Sequence, residues 1–149
     1  MSNSKNNANF REKLKQALNS TFKVISDDLV PDHQKSKNQS FNKIESFELD
    51  SLNSKSDFIQ ARADSDSSAL KKKFSDEKIF KKNSPSNSSC KSLYSIAEKI
   101  RCENLGGKIL KGIQKNFTDN YNQIIDLKRK DQLKSKEDVS VNEAFELYM

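Results

Sequence analysis

"KIRCENLGGKILKGIQKNF", residues 99–117, contains all three glycines of this 149-residue chain. Its apolar residues recur at intervals of three and four, which is the spacing of one face of a helix. A glycine in a helix interior costs about 1 kcal/mol relative to alanine, so the segment loses roughly 2 to 3 kcal/mol of helix stability. We therefore expect a helix that requires small residues at Gly106, Gly107 and Gly112.

The same apolar pattern continues on both sides of the glycines. Its positions are Leu93, Ile96, Ala97, Ile100, Ile109, Leu110, Ile113, Phe117, Tyr121, Ile124 and Ile125. This periodicity predicts one helix of up to about 35 residues, kinked at Gly106 and Gly107. The predicted fold class is therefore mainly α: a small helical domain with a long central helix and polar, partly disordered loops.

A first helix is predicted over residues 9–26, because Asn9 is a suitable N-cap and Pro31 lies beyond the end. Its apolar stripe consists of Phe10, Leu14, Ala17, Leu18, Phe22 and Ile25. Residues 1–8 are expected to form a disordered tail. Residues 27–56 are expected to form a polar loop, with a short strand as an alternative.

A second helix is predicted from Ser56, a good N-cap, to about Phe74, and a short third helix to Lys82. The positions expected to be buried on them are Phe58, Ala61, Ala69, Leu70, Phe74, Ile79 and Phe80. Near the end, S-V-N-E at residues 140–143 is a capping box and predicts a final helix. So short a helix is unstable alone, and we expect further sequence beyond Met149.

The composition points to a small core without a membrane segment. Hydrophobic residues make up 33% of the chain and the mean hydropathy is -0.90. No stretch approaches the roughly 18 apolar residues of a membrane span, and the N-terminus lacks the apolar run of a signal peptide. We therefore expect a cytoplasmic protein. Cys90 and Cys102 are expected to be reduced, helix-packing side chains, because their spacing does not match zinc-ligand pairs.

The net charge of +6 allows a polyanionic partner. Lys71–Lys73, together with Lys78, Lys81 and Lys82, form a basic patch that would suit phosphates or an acidic protein segment, although a solvated helix face is the commoner meaning. Phe74 and Phe80 fall on the predicted core face, which removes them as stacking platforms for bases. The excess of lysine over arginine also disfavours a nucleic-acid reader. A small basic helical protein that binds nucleic acid or another polyanion is the alternative function.

No pattern of catalytic residues is evident in the sequence. The glycines fit neither G-x-G-x-x-G nor G-x-x-x-x-G-K-[ST], and His33, the single histidine, leaves nucleophilic catalysis without its usual base. D-S-D-S-S at residues 64–68 is similar to the D-x-S-x-S of adhesion-type metal sites, but it lies in a helical pattern and favours a polar helix surface. We expect a non-catalytic chain that binds no metal or cofactor directly.

F-I-Q-A-R-A-D-S-D-S-S-A-L at 58–70 is followed by I-A-E-K-I-R-C-E-N-L-G-G-K-I-L-K-G-I-Q-K-N-F at 96–117. This pair resembles the N-terminal region of the CobT subunit of aerobic cobaltochelatase. That family has an A-D-S…A-L segment and then a helix reading E-x-x-R-x-E-x-x-G-x-x-x-x-x-G-[IV]-x-x-N-[LF]. The matching positions are Glu98, Arg101, Glu103, Gly106, Gly112, Ile113, Asn116 and Phe117. Residues 9–26 and 139–149 are similar as well, so the resemblance spans essentially the whole chain.

The resemblance implies a non-catalytic subunit of the ATP-dependent cobaltochelatase, a ligase complex that forms nitrogen–metal bonds when it inserts cobalt into the corrin ring. It implies a hetero-oligomer in which this chain docks on a CobS-like AAA+ ATPase and acts on the CobN-like large subunit. ATP, Mg and cobalt would be used by the complex, with ATP bound by the ATPase. The acidic linker and the C-terminal von Willebrand A domain of the family, with its metal-ion site, are expected to be absent.

The resemblance also implies a partner interface formed by Arg101, Glu103, Gly106, Gly112 and Asn116. Gly106 and Gly112 would be positions where a neighbouring helix or a partner backbone approaches too closely for a side chain. Arg101 and Glu103 would supply polar contacts one turn earlier. A purely structural interaction module, unrelated to cobalt, would have the same fold and stays open as an alternative.

Overall fold

A computed structural model describes residues 2–26, 54–130 and 138–149. Within these ranges the regular elements are α-helices, which confirms the predicted fold class. The helices are α1 (Ser2–Ile25), α2 (Lys55–Phe74), α3 (Glu77–Asn83), α4 (Ser88–Ile109), α5 (Lys111–Lys130) and α6 (Val141–Tyr148). Residues 27–53, most of the predicted polar loop with its possible strand, lie outside the described residues. Among the described helices, none is long and apolar enough to cross a membrane.

The core lies where α2, α4 and α5 meet, and α1 packs on α2. Its buried members are Ile25, Ala63, Ala69, Leu70, Cys102, Ile113 and Phe117. Leu70 is 1% exposed, and full burial of a leucine side chain contributes about 1.5 to 3 kcal/mol. Because α2 contacts α1, α4 and α5, it is the element around which the other helices are arranged.

The first helix is longer than the sequence predicts. It begins at Ser2, so Asn9 lies inside α1 and the prediction of Asn9 as the N-cap is wrong. Residues 2–8, predicted as a disordered tail, form its first turns. They contain neither glycine nor proline, and adding residues to an existing helix is far easier than nucleating one.

The second and third helices occur where the pattern predicts them, but the cap of α2 differs. Ser54, not Ser56, is the N-cap: its Oγ accepts from the Asp57 backbone N–H at 3.1 Å. The Asp57 carboxylate accepts in return from the Ser54 backbone N–H at 2.9 Å, which completes a capping box. The box satisfies two backbone donors and is stronger than a single serine at position 56 would be.

The predicted long central helix is divided into α4 and α5 at Leu110, whose backbone is extended at φ -125° and ψ 97°. Gly106 and Gly107, the predicted kink, are helical. The break has a packing cause: a straight helix would carry its second half past α2, whereas the turn allows both α4 and α5 to pack on α2. Ile113 and Phe117 thereby enter the core beside Leu70.

Several predicted core positions are exposed. Leu18, Ile25, Ala69 and Leu70 are buried as predicted, but the predictions for Phe10, Ala17, Ile79, Ala97, Ile109 and Leu110 are wrong. The apolar contacts of α1 centre on Phe22 and Ile25, and Phe10 lies about three turns before them. Ile79 belongs to a helix without buried residues, although its neighbour Phe80 stacks on Tyr94 with ring centroids 4.9 Å apart.

Both cysteines carry free thiols. Cys102 is fully buried in the core, which confirms the helix-packing prediction for it. Cys90 is exposed in the first turn of α4, so the same prediction is wrong for Cys90. The difference follows from position, because α4 contacts α2 further along its length, at the level of Cys102.

The final helix has the serine half of the predicted capping box. Ser140 Oγ accepts from the Glu143 backbone N–H at 3.3 Å. The Glu143 carboxylate lies 2.8 Å from Lys128 Nζ, so it links α6 to α5. α6 itself has no buried residue and contacts mainly α4.

The capping box of α2 gives a stability prediction. Ser54→Ala should lower the free energy of unfolding by about 1 kcal/mol, because the Asp57 N–H loses its acceptor. Urea titration followed by circular dichroism measures the change. Ser68→Ala is the matched control, since Ser68 is exposed on the same helix and alanine is the better helix former. Equal stability of Ser54→Ala and the wild type would contradict the assigned cap.

Candidate functional site

The D-S-D-S-S stretch of α2 turns its middle residues inward. Ser65 is 0% and Asp66 is 2% exposed, so the prediction of a purely polar helix surface is wrong for them. Asn116 of α5 donates to Asp66 Oδ2 at 2.6 Å, and Ser67 donates to Glu103 Oε1 of α4 at 2.6 Å. Asn116 on α5 thus supplies the partner that the buried Asp66 requires, whereas the buried Ser65 Oγ has no hydrogen-bond partner among the described residues.

Glu103 is the centre of this polar network and is 7% exposed. One carboxylate oxygen accepts from Ser67, and the other accepts from the Tyr121 hydroxyl at 2.8 Å. Lys99 Nζ lies 3.9 Å from Glu103 Oε1 and supplies the compensating charge. A buried carboxylate requires such partners, and those of Glu103 come from α2, α4 and α5.

Lys99 extends the network to α6, because its ammonium group also pairs with the Glu146 carboxylate. The same ammonium lies 5.7 Å from the centroid of the Tyr121 ring. With the Lys128–Glu143 pair, two ion pairs attach α6 to the bundle. Charge pairing therefore contributes to the docking of α6, together with the partly buried Phe145 and Leu147.

The pKa values of the network groups follow from burial and pairing. Burial raises the pKa of Asp66, against the opposing hydrogen bond from Asn116. Burial, with the adjacent Glu103 carboxylate, also raises the pKa of Tyr121, so its phenol stays protonated and donates. Burial lowers the pKa of Lys99, but the bond to Glu146 and the nearby carboxylates outweigh this and raise it. The lysine therefore remains a cation.

Arg101, a predicted interface residue, makes contacts within the chain. Its Nε and Nη2 each donate to the Glu98 carboxylate at 2.8 Å, and Nη2 also donates to the Phe74 carbonyl at 2.8 Å. That carbonyl ends α2 and has no partner inside its own helix. The guanidinium holds the pKa of Glu98 below its ordinary value. The Arg101 side chain is still 47% exposed, and its contact with a partner stays a prediction.

Three predicted interface residues lie inside the fold. Glu103 and Asn116 form the bonds described above, and Gly106 packs on α2. A Cβ added at Gly106 would meet both methyl groups of Leu70 and lie 2.9 Å from its Cγ. The absence of a side chain at Gly106 therefore allows close packing against α2 of the same chain.

The other glycines differ from Gly106. A Cβ at Gly107 would lie 3.4 Å from Gln114 Cβ, at the point where α5 turns past α4. Gly112 is exposed, and a Cβ added there would have nothing within 4 Å. No other part of the described chain therefore packs closely against Gly112. A partner contact at Gly112 stays a prediction.

A groove of about 430 Å³ opens between α4, α5 and α6 beside the polar network. Its wall includes Ile100, Glu103, Phe117, Tyr121, Glu146 and Leu147. Its acidic groups and the Tyr121 hydroxyl are paired with one another or with Lys99, and the exposed Lys108 lies at its edge. Among the residues that the structure describes, no group of three or more His, Cys, Asp or Glu side chains is arranged to hold a metal ion.

A second surface lies at the corner where α4 turns into α5. Arg101, Leu105 and Ile109 follow one another at four-residue intervals on one face of α4, and Leu110 and Gly112 continue it around the turn. We call these five residues the corner face. Leu105, Ile109 and Leu110 are exposed. The spacing of the apolar residues had predicted that Ile109 and Leu110 are in the core.

The lysine patch at the end of α2 is partly engaged with aromatic rings. Lys71 Nζ lies 5.8 Å from the Phe80 ring centroid, and Lys72 Nζ lies 5.8 Å from that of Phe22. Lys81 pairs with Glu77. These contacts are typical of a helix surface on which lysines cover neighbouring apolar groups.

Sequence reasoning missed Asp66, Ser67, Lys99 and Tyr121 as members of a site. A usable signal was present: Ser67 and Asp66 lie beside Leu70 and Ala63 on the apolar side of α2, where polar residues need partners.

Comparison with known proteins relates this architecture to one family. The family model described as "Cobalamin biosynthesis protein CobT" matches residues 8–149. No curated protein and no solved structure matches the chain. The match runs from α1 to α6 and includes the polar network and the corner face, so it confirms the resemblance carried by the sequence motifs.

The contrast between the glycines gives a prediction. Gly106→Leu should destabilise the fold by about 1 to 3 kcal/mol or more, because its side chain would overlap Leu70 in a packed core. Gly112→Leu, the matched control, should be neutral or stabilising by up to about 1 kcal/mol, since its site is open and helical. Urea unfolding of both variants measures the difference. Similar losses for both would contradict the assigned Gly106–Leu70 contact.

Burial of Asp66 gives a pH prediction. An acidic group whose pKa is higher in the folded chain than in the unfolded chain lowers the stability of the fold when the pH rises above its pKa in the unfolded chain. The loss of stability is complete above its pKa in the folded chain. Asp66→Asn removes the charge and keeps an acceptor for Asn116. The stability of this variant minus that of the wild type should therefore be greater at pH 7 than at pH 4. A difference that is the same at both values would show that Asp66 folds without a raised pKa.

Proposed function

This chain belongs to the CobT family of cobalamin biosynthesis proteins, and from this membership we propose that it is a non-catalytic subunit of the ATP-dependent cobaltochelatase. The complex inserts cobalt into the corrin ring during aerobic cobalamin biosynthesis. In our proposal the chain docks on a CobS-like AAA+ ATPase in the cytoplasm and connects it to the CobN-like large subunit.

The observation that carries the proposal is the extent of the family match. It covers residues 8–149, and thus parts of all six helices, rather than one motif. A match of this extent includes residues of the core, the polar network and the surface together. It supports a shared role for the helical unit as a whole.

The construction of the unit suits a docking role. Ser67, Glu103 and Tyr121 join three helices through hydrogen bonds of 2.6 and 2.8 Å, and Arg101 ties α4 to the end of α2. A surface whose supporting helices are already fixed loses less conformational entropy when it binds. The corner face, with three exposed apolar side chains, is the surface that these contacts support.

The proposed division of labour assigns the chemistry to the partners. ATP and Mg are bound by the ATPase, and cobalt is the substrate that reaches the corrin on the large subunit. This chain would transmit the motion of the ATPase to the large subunit through its fixed helices. None of these groups is assigned to a residue of this chain.

A pull-down with the cognate AAA+ subunit, with and without ATP, tests the docking step, and sizing of the product follows. We expect a ring-sized complex that weakens by no more than about tenfold between 50 and 200 mM salt, because apolar contacts depend weakly on ionic strength and only a few ion pairs are screened. A polyanion contact through several phosphates would instead weaken by about 10³-fold or more over that range.

The remaining outcomes separate the alternatives. No complex from a chain shown by circular dichroism to be folded would contradict the proposal, and binding to a DNA or RNA duplex would then favour the polyanion function. A complex that leaves cobalt insertion by the reconstituted subunits unchanged would favour a structural module unrelated to cobalt. A rise in cobalt insertion on adding the chain is the expected result.

A further inference from the structure

The corner face exposes a group of apolar side chains at the end of α4. Ile109 is 64%, Leu110 is 44% and Leu105 is 36% exposed, and all three lie within six positions of one another. Single exposed apolar residues are normal on a protein, but a contiguous group marks an interaction surface. Gly112 adds open space at its end, where a partner's side chain would meet no Cβ.

The charge around the corner face has one sign. Residues 104–118 contain Lys108, Lys111 and Lys115 and no acidic residue. Lys115 is paired with Asp119 at 3.2 Å, whereas Lys108 and Lys111 extend as exposed side chains beside the apolar residues. The positive charge of Arg101 is balanced by Glu98 on the same helix. The net field at the corner therefore favours an acidic partner.

The corner face is also held in a fixed position. Arg101 bonds Glu98 and the end of α2, and Gly106, next to Leu105, is seated on Leu70. The Leu110 N–H donates to the Gly106 carbonyl at 2.8 Å, and the Gln114 N–H donates to the Leu110 carbonyl at 3.2 Å. The turn between α4 and α5 is therefore tied on both sides.

We propose that the corner face is the docking site for an acidic amphipathic helix of the AAA+ subunit. The apolar side of that helix packs on Leu105, Ile109 and Leu110, and its flanking Asp or Glu side chains pair with Lys108 and Lys111. This inference rests on the proposed function and adds the surface and the chemistry of the partner segment. A second copy of this chain fits less well, because it would bring the same lysines together.

The first test titrates the full-length chain with the AAA+ subunit. Ile109→Ser should weaken binding by about tenfold, as expected when an apolar residue at the centre of an interface is removed. Ile79→Ser is the matched control: Ile79 is 59% exposed on α3 and does not belong to the corner face, and the affinity of this variant should equal that of the wild type. Circular dichroism and urea unfolding verify that both variants fold.

The second test reverses charge. Lys108→Glu with Lys111→Glu should slow association and weaken binding by about tenfold at low salt, and added salt should reduce the difference. Lys78→Glu with Lys82→Glu makes the same change in net charge on exposed lysines of α3 and should have a much smaller effect. Equal effects of the two pairs would mean that only overall charge matters, which overturns the proposed pairing.

A photo-crosslinking benzoylphenylalanine in place of Ile109 identifies the partner segment by mass spectrometry. A crosslink to an AAA+ segment with Asp or Glu beside Leu, Ile or Phe is the expected result. Crosslinks to a basic segment, or between copies of this chain, would overturn the inference. If the wild type binds the AAA+ subunit and Ile109→Ser binds equally well, the corner face is wrong and the proposed function stands. If the folded wild type does not bind, both fail.

Discussion

The burial of one carboxylate constrains the arrangement of the helices. Glu103 lies between α2, α4 and α5, and each supplies a group that the charge requires: Ser67, Lys99 and Tyr121. Loss of one partner would leave an incompletely satisfied buried charge, with a penalty of several kcal/mol in the worst geometry. The Ser67 and Tyr121 contacts are made between helices, so together they constrain how α2 and α5 are placed against α4.

The glycine next to this network has a complementary role. Gly106 follows Glu103 by three positions, so both face α2, where one meets Ser67 and the other meets Leu70. Ser67 and Leu70 are likewise three positions apart. The polar bond and the apolar contact thus repeat the same helical interval on both helices, and together they fix how far α4 is shifted along α2. The weak helix propensity of glycine is offset by this close packing.

Periodicity was sufficient to predict which segments are helical, although not where α1 begins or where the central helix breaks, because apolar residues at intervals of three and four report one face directly. It was insufficient to identify what covers that face. Ile109 and Leu110 have the spacing of core residues, yet the turn at Leu110 leaves them exposed. Asp66 has the composition of a surface residue, yet Asn116, 50 positions later, gives it a buried partner. Such contacts depend on where the chain turns, and the pattern of a single helix contains no information about a distant helix.

The motif residues that relate the chain to its family therefore divide into two physical groups. Glu103, Gly106 and Asn116 contact other helices of the same chain, whereas Gly112 and part of Arg101 face outward. Changes in the first group act on the fold before they act on any partner, so lost binding in such a variant does not identify an interface. Changes at the corner face act on a surface that the internal contacts have already fixed. Only this second group separates docking from folding, and that makes it the informative place to test how the family assembles.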